Sequence, residues 1–257
     1  MTSSLVTLLL APYIQFPGGE ATGLIVMRWI HLVAGITWIG LLYFFNLVTL
    51  PLMQELDAGS RGMLVRRLMP RALWWFRWSA VLTVLAGIAY WGHIVASDAR
   101  NAAMAGEPVS MGMIFGSFFV LWTLAFAVEI AMLMSPAEAL RKGPLFGAIS
   151  AIAVIAAAYI FLSLNQHGWE SNRALAIGIG GGLGWFMLLN VWGVVWRMQK
   201  KLIRWTEATS TNGTPMPPEA AKTARISLLC TRLNFWLSFP MLFFMAAASH
   251  YFMFVAR

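Results

Sequence analysis

The chain has 257 residues, 60% of them hydrophobic and 11% charged, with a mean hydropathy of +0.72. A soluble domain carries roughly 25% charged and about 45–50% apolar residues, so these proportions exclude a water-soluble enzyme, and equally a disordered chain, which needs low hydrophobicity and high charge. The formal net charge of +8 sits between apolar segments, where it orients a membrane protein and does not mark a nucleic-acid partner.

Residues 1–23 contain a short apolar run, Leu5 to Ile14, without a basic leader or a small-residue cleavage site, and read as an interfacial segment on the outer side. Six stretches then reach bilayer length: Leu24–Val48, Leu73–Ser97, Met111–Met134, Pro144–Leu164, Ala174–Met198 and Asn234–Ala256. Backbone polar groups in lipid must be satisfied within the segment, so these are helices. The fold class is all-α: a polytopic bundle of six transmembrane helices in one domain, residues 24–257. Its cytoplasmic loops are 50–72, 136–143 and 199–232. In the first loop, Met53–Arg71 mixes Leu64, Leu68 and Met69 with four arginines and suits a short amphipathic surface helix. In the third, Thr206–Thr223 is rich in Thr and Pro and reads as a flexible loop. Cys230 is the single cysteine, so neither an intrachain disulfide nor a CxxCH haem attachment is possible.

Basic residues settle the orientation. Thirteen lie in the segments after spans one, three and five, against only Arg100, Arg173 and Arg257 on the other side. The positive-inside rule then puts both termini outside, in the periplasm of a bacterium whose inner membrane holds the protein. Trp74, Trp75, Trp78, Trp91, Trp196 and Trp205 fall near span ends and read as interface anchors, while Trp38 and Trp192 are deeper. The run Gly178, Gly180, Gly181, Gly182 and Gly184 lies in an apolar span, where close helix contact accounts for it better than a phosphate loop.

Two polar groups stand out by depth. At about 1.5 Å per residue, His31, His93 and His250 fall roughly 10, 6 and 9 Å below the outer ends of spans one, two and six. Three intramembrane histidines at one level are candidate ligands. Gly35 and Ala89 and Ala246 lie one turn from them and leave room for a flat cofactor, and Arg28 shares the His31 face, where it can pair with a propionate. Any one of these histidines can also simply hydrogen-bond a neighbouring helix. As a set they point to haem b with two of the three on the iron, in preference to zinc or copper, since no carboxylate or second cysteine lies at that level. Met111, Met113 and Met253 keep copper as the lesser choice. Toward the cytoplasm, Glu129, Asn190 and Asn234, with Asn46 and Ser238 nearby, suggest a catalytic or proton site open to that side. The plainer account has Glu129 reaching the surface or pairing with Arg77 or Arg232.

Three segments resemble one bacterial family: Arg28-Trp29-Ile30-His31 through Gly35 to Trp38-Ile39-Gly40; Asn190-Val191-Trp192 through Trp196 to Gln199-Lys200; and Thr231-Arg232-Leu233-Asn234-Phe235-Trp236 through Ser249-His250-Tyr251. They are similar to the membrane domain of cytochrome-c-linked urate oxidase, over about residues 24–254. The resemblance implies a redox protein that oxidises urate and passes electrons to a cytochrome c, and singles out His31, His93 and His250. In that family a cytochrome c domain follows the membrane domain. With Arg257 at the end of this chain, a separate periplasmic or membrane cytochrome c is the expected acceptor. The rival expectation is a non-catalytic subunit that anchors or stabilises a larger respiratory or photosynthetic complex. A transporter, suggested only by Pro240 and the glycine run, comes third.

Overall fold

The computed structural model describes residues 17–254. The interfacial segment expected at Leu5–Ile14 lies outside these described residues. Within them the structure is helical, with no strand, and six helices are long and apolar enough to cross a membrane. The elements in chain order are α1 (Gly19–Tyr43), a π-helical segment (Phe44–Thr49), α2 (Leu50–Glu55), α3 (Ala58–Arg67), α4 (Met69–Met104) and α5 (Met111–Met134). A short 3₁₀ turn (Glu138–Arg141), α6 (Gly143–Asn165), α7 (Asn172–Asn190), a second π segment (Val191–Val195), α8 (Trp196–Asn212) and α9 (Ala220–Ala247) follow.

Local chemistry explains several boundaries. Pro51, Pro70 and Pro144 stand in the first turns of α2, α4 and α6, where a missing N–H costs nothing. Asp57 caps α3 by accepting from the N–H groups of Gly59 and Ser60 at 2.8 and 3.0 Å. Hydrogen bonds from Ser60 and Gly59 hold its carboxyl below the usual aspartate range. Gly213 ends α8 with φ of 67°, the left-handed cap that glycine adopts without strain. At the first π segment, Asn46 Nδ2 donates 2.8 Å back to the Leu42 carbonyl.

The helix α7 is the axis of the bundle. In its most apolar window 78% of residues are buried, against 28–39% in the other five spanning helices. It packs on α4, α5, α6 and α9, while α1 lies along α4 and touches α9 only lightly. The glycines of α7 make this possible. A Cβ on Gly178 would stand 2.4 Å from the Phe161 ring, and one on Gly182 only 1.8 Å from Trp122 Nε1. On Gly180 it would meet Phe244 Cβ at 3.1 Å and the Met241 carbonyl at 3.2 Å. Close helix contact is therefore the role of Gly178, Gly180 and Gly182, as the sequence suggests, whereas a Cβ on Gly184 would meet nothing within 4 Å.

The structure departs from the expected boundaries in three places. The segment Thr206–Thr223 is not one flexible loop, because α8 continues to Asn212 and α9 begins at Ala220. The end of α8 is amphipathic and docks on α3, with a Cβ on Gly62 falling 3.7 Å from Ser210 Oγ. Span six is displaced toward α8: α9 ends at Ala247, since Ile226, Leu228, Leu229 and Leu233 supply apolar length before Asn234. The amphipathic surface helix expected within Met53–Arg71 is α3, broken from α2 at Leu56–Asp57, and none of its residues is buried.

Gly182→Leu should lower the thermal unfolding temperature of detergent-solubilised protein markedly, by the equivalent of about 1–3 kcal/mol or more of overpacking. Gly147→Ala, where a Cβ meets nothing within 4 Å, should stay within about 0.5 kcal/mol of wild type. Equal effects from the two would remove α7 as the packing axis.

Candidate functional site

A cavity of about 470 Å³ lies between α1, α4, α7 and α9. Its walls are largely apolar (Trp38, Ile39, Val84, Ile177), and α1, α4 and α7 contribute Gly35, Gly87, Gly180, Gly181 and Gly184. Polar groups gather at one end: Arg28, His31, Tyr90 and Arg173. The opposite end is closed by Tyr43, whose hydroxyl accepts from Ser238 Oγ at 3.1 Å.

The sequence holds His31 in one attitude. The Nδ1 atom lies 2.8 Å from the Thr83 carbonyl. A carbonyl can only accept, so Nδ1 carries the proton and Nε2 keeps its lone pair. The ring rests on Gly87: a Cβ there would stand 2.8 Å from His31 Cε1 and 2.9 Å from Nδ1. Gly87 is thus required for the close approach of α1 to α4 at this point. Arg173 donates to Tyr90 Oη at 2.5 Å and lies over that ring at 5.4 Å. Its Nε has no partner, and neither does Trp38 Nε1, although both are shut away from solvent. A buried N–H without an acceptor costs about 1–3 kcal/mol, so both donors suit an occupant of the cavity.

The three candidate histidines are not brought to one place. His31 lines the cavity, with Arg28 and Gly35 beside it. His93 does not line it, and its Nδ1 stands 3.8 Å from Glu20 Oε1 at the start of α1. His250 is exposed, three residues past the end of α9. The tail there is fastened to α7, as Asn172 Nδ2 donates to the Tyr251 carbonyl and Asn172 Oδ1 accepts from the N–H groups of Met253 and Phe254. Among the described residues no group of three His, Cys, Asp or Glu is arranged to hold a metal ion. The cavity's other donor atoms for a soft metal are the thioethers of Met241 and Met245. Arg173, which sequence reasoning placed only in a loop, joins the cavity because α7 begins at Asn172.

A second polar layer lies deeper. Asn190 of α7 and Asn234 of α9 meet, Glu129 of α5 reaches α9 one turn away at Cys230, and all three are at most 1% exposed. Asn190 Nδ2 donates to Asn234 Oδ1 at 2.9 Å and to the Cys230 carbonyl at 3.2 Å, and Asn234 Nδ2 donates to the Met187 carbonyl at 3.1 Å. The Cys230 thiol lies against the Glu129 carboxyl. Both Glu129 oxygens and Asn190 Oδ1 lack a well-formed hydrogen bond. Glu129 neither reaches the surface nor pairs with Arg77 or Arg232. Arg77 instead stacks 3.9 Å over the Trp196 ring and stands 5.5 Å from that of Trp192. Trp91 is likewise not an anchor, being 2% exposed with its Nε1 donating to the Ala174 carbonyl at 2.8 Å.

A family model described as urate oxidase N-terminal matches residues 58–257. The match runs from α3 through α9, while α1, with Arg28 and His31, precedes it. No curated protein and no solved structure matches the chain.

Asn234→Ala should cost about 1–3 kcal/mol, because it leaves Asn190 Nδ2 and the Met187 carbonyl short of a buried partner. Thermal unfolding in detergent reads the loss. An unchanged unfolding temperature would show that the α7–α9 amide pair contributes nothing to packing.

Proposed function

The chain belongs to the urate oxidase N-terminal family, and from that premise we propose that it is a membrane redox domain holding one haem b in the cavity between α1, α4, α7 and α9. In this reading the electrons of urate oxidation leave through a cytochrome c on the outer side. The observation that carries the proposal is His31: an imidazole fixed by Thr83 with Nε2 free, on the wall of a largely apolar cavity with arginines at its rim. Metal-ligating histidines characteristically donate their second N–H to such a carbonyl.

The donor set fits the group. Arg28 and Arg173 supply two cations for two propionates, the glycines of α4 and α7 leave a flat wall, and Trp38 Nε1 and Arg173 Nε are donors in want of an acceptor. Haem supplies a one-electron carrier in a low-dielectric site. His31 would hold the haem from α1, with Thr83 and Gly87 setting its ring and Tyr90 orienting Arg173. Because His93 and His250 stand off the cavity wall, a thioether of α9, Met241 or Met245, would be the further residue to hold it. In this reading the basic loops face the cytoplasm, and the arginine end of the cavity faces the periplasm of a bacterial inner membrane, the side from which a soluble cytochrome c would approach.

The purified protein should show a Soret band and a pyridine haemochrome of non-covalent haem. His31→Ala should abolish most of the occupancy, and Gly87→Ala should weaken haem binding by about 10–100-fold, the scale of losing a ligand's support. Urate should reduce cytochrome c only when haem-loaded protein is present. A colourless protein from haem-replete cells would refute the cofactor. Bound haem without urate turnover, in a stable larger assembly, would make the chain the non-catalytic subunit of a redox complex.

Reporter fusions after Arg257 should be active with a periplasmic reporter and silent with a cytoplasmic one. The reverse pattern would invert the membrane orientation and move the haem to the inner side.

A further inference from the structure

The Glu129 layer sits between two cavities. The second, of about 320 Å³, lies at the end that carries the basic loops and is lined by Asn46, Thr49, Gln199, Ser227 and Thr231. The apolar cavity described above approaches from the other end and stops at Tyr43. Neither is lined by Glu129, Asn190 or Asn234.

One helix carries the connection. Along α9 the polar side chains Thr223, Ser227, Cys230, Asn234 and Ser238 recur every three or four residues and are all buried, so they form one stripe. Each of the last four finds a polar group on another helix. Ser227 Oγ accepts from Gln199 Nε2 of α8 at 2.9 Å, the Cys230 thiol meets Glu129 of α5, Asn234 pairs with Asn190 of α7, and Ser238 donates to Tyr43 of α1. The inner cavity reaches Ser227 and Thr231, which flank Cys230 along α9, and Tyr43's partner Ser238 lies about 6 Å beyond Asn234 along the axis.

Glu129 is the group in this stripe that can gain and lose a proton without breaking the packing. Apart from the Cys230 thiol against it, its oxygens have no hydrogen-bond partner to give up. Among the described residues neither ion pair involves it, so no arginine or lysine holds it as a carboxylate. Cys230 is the titratable side chain against it. A charge without a counter-ion is costly at this depth, whereas the carboxylic acid is tolerated.

We propose that Glu129 is a proton-loading residue: its carboxylate takes a proton from the inner cavity by way of Ser227 and Thr231, and gives it up toward the outer cavity by way of Asn234, Ser238 and Tyr43. The relay stands without haem. Its use, balancing the charge of an electron arriving in the outer cavity, rests on the redox reading above.

The test is infrared spectroscopy of the full chain in detergent, with D₂O exchange followed in time. Wild type should show a protonated-carboxyl C=O band that is absent in Glu129→Gln and exchanges in D₂O. Should Glu129→Gln fail to assemble, Glu129→Asp keeps an acid and shifts the same band. The pair Ser227→Ala, Thr231→Val should slow the exchange at least about 10-fold, equivalent to about 1.4 kcal/mol on the barrier, with the unfolding temperature as the check on structure. Tyr43→Phe should slow the exchange less than the inner pair does, because loading is from the other side. The proposal is overturned if no such band belongs to Glu129 or if the band fails to exchange. A slowing by Tyr43→Phe, with none by the inner pair, would overturn it equally. None of these readouts depends on bound haem, so a colourless protein would defeat the redox reading and leave the relay to be judged by itself.

Discussion

The packing of α7 is the constraint on which the other helices depend. In a bilayer no hydrophobic gain separates lipid from protein contacts, so helices associate through close van der Waals fit. Four neighbours fit around α7 because its glycines receive large rings: Phe161 from α6 at Gly178, Trp122 from α5 at Gly182, and Phe126 from α5 at Gly193 in the π segment that follows. Each glycine is a socket matched to one residue of one helix. The sockets fix both the position and the rotation of α5 and α6, and Gly180 does the same for α9 through Phe244 and the Met241 carbonyl.

The cavity is a consequence of that arrangement. α9 is drawn onto α7 and α1 onto α4, through Gly35 against Thr83 and His31 against Gly87. These two close pairs leave α1 and α9 only lightly in contact, and the space between them stays open. Where a tighter bundle would place side chains, Gly181 and Gly184 on α7 present backbone. The same feature that packs one side of α7 thus hollows the other. Its polar rim follows from where α7 begins: it starts at Asn172, so Arg173 in its first turn meets Tyr90 in the second half of α4.

Much of this was legible in the sequence, and the parts that were not share a cause. Six spans follow from bilayer thickness and apolar length, the glycine run was recognisable as a contact surface, and His31 with Arg28 and Gly35 one turn away marked the cavity side of α1. Hydropathy cannot, however, distinguish an apolar residue that faces lipid from one that faces protein. Trp91 therefore looks like an interface anchor although it is a core residue bonded to the α7 backbone. Nor does it fix where a span sits along a longer helix. The apolar residues before Asn234 let α9 slide, which takes His250 out of the helix and off the level of His31. That Glu129, Asn190 and Asn234 share a level could be anticipated from depth alone, since all three lie toward the basic end. Their enclosure could not, because it depends on the facing of three helices.

The two polar layers differ in the kind of demand they make. At the cavity, donors outnumber acceptors: two arginines and the Tyr90 hydroxyl gather at one end and Trp38 Nε1 lies further along the wall, where little is offered to receive them, which suits an anionic occupant. At the Glu129 layer the surplus is in acceptors, with both carboxyl oxygens and Asn190 Oδ1 unpartnered, which calls for protons. In the redox reading, an electron placed in the first would add negative charge to a low-dielectric interior, and a proton held by Glu129 would offset it. Charges in such a medium interact strongly over distances that water would screen. An anion at the arginine end and a proton on Glu129 would therefore favour one another without any contact between them, and the α9 stripe with Tyr43 lies between the two sites.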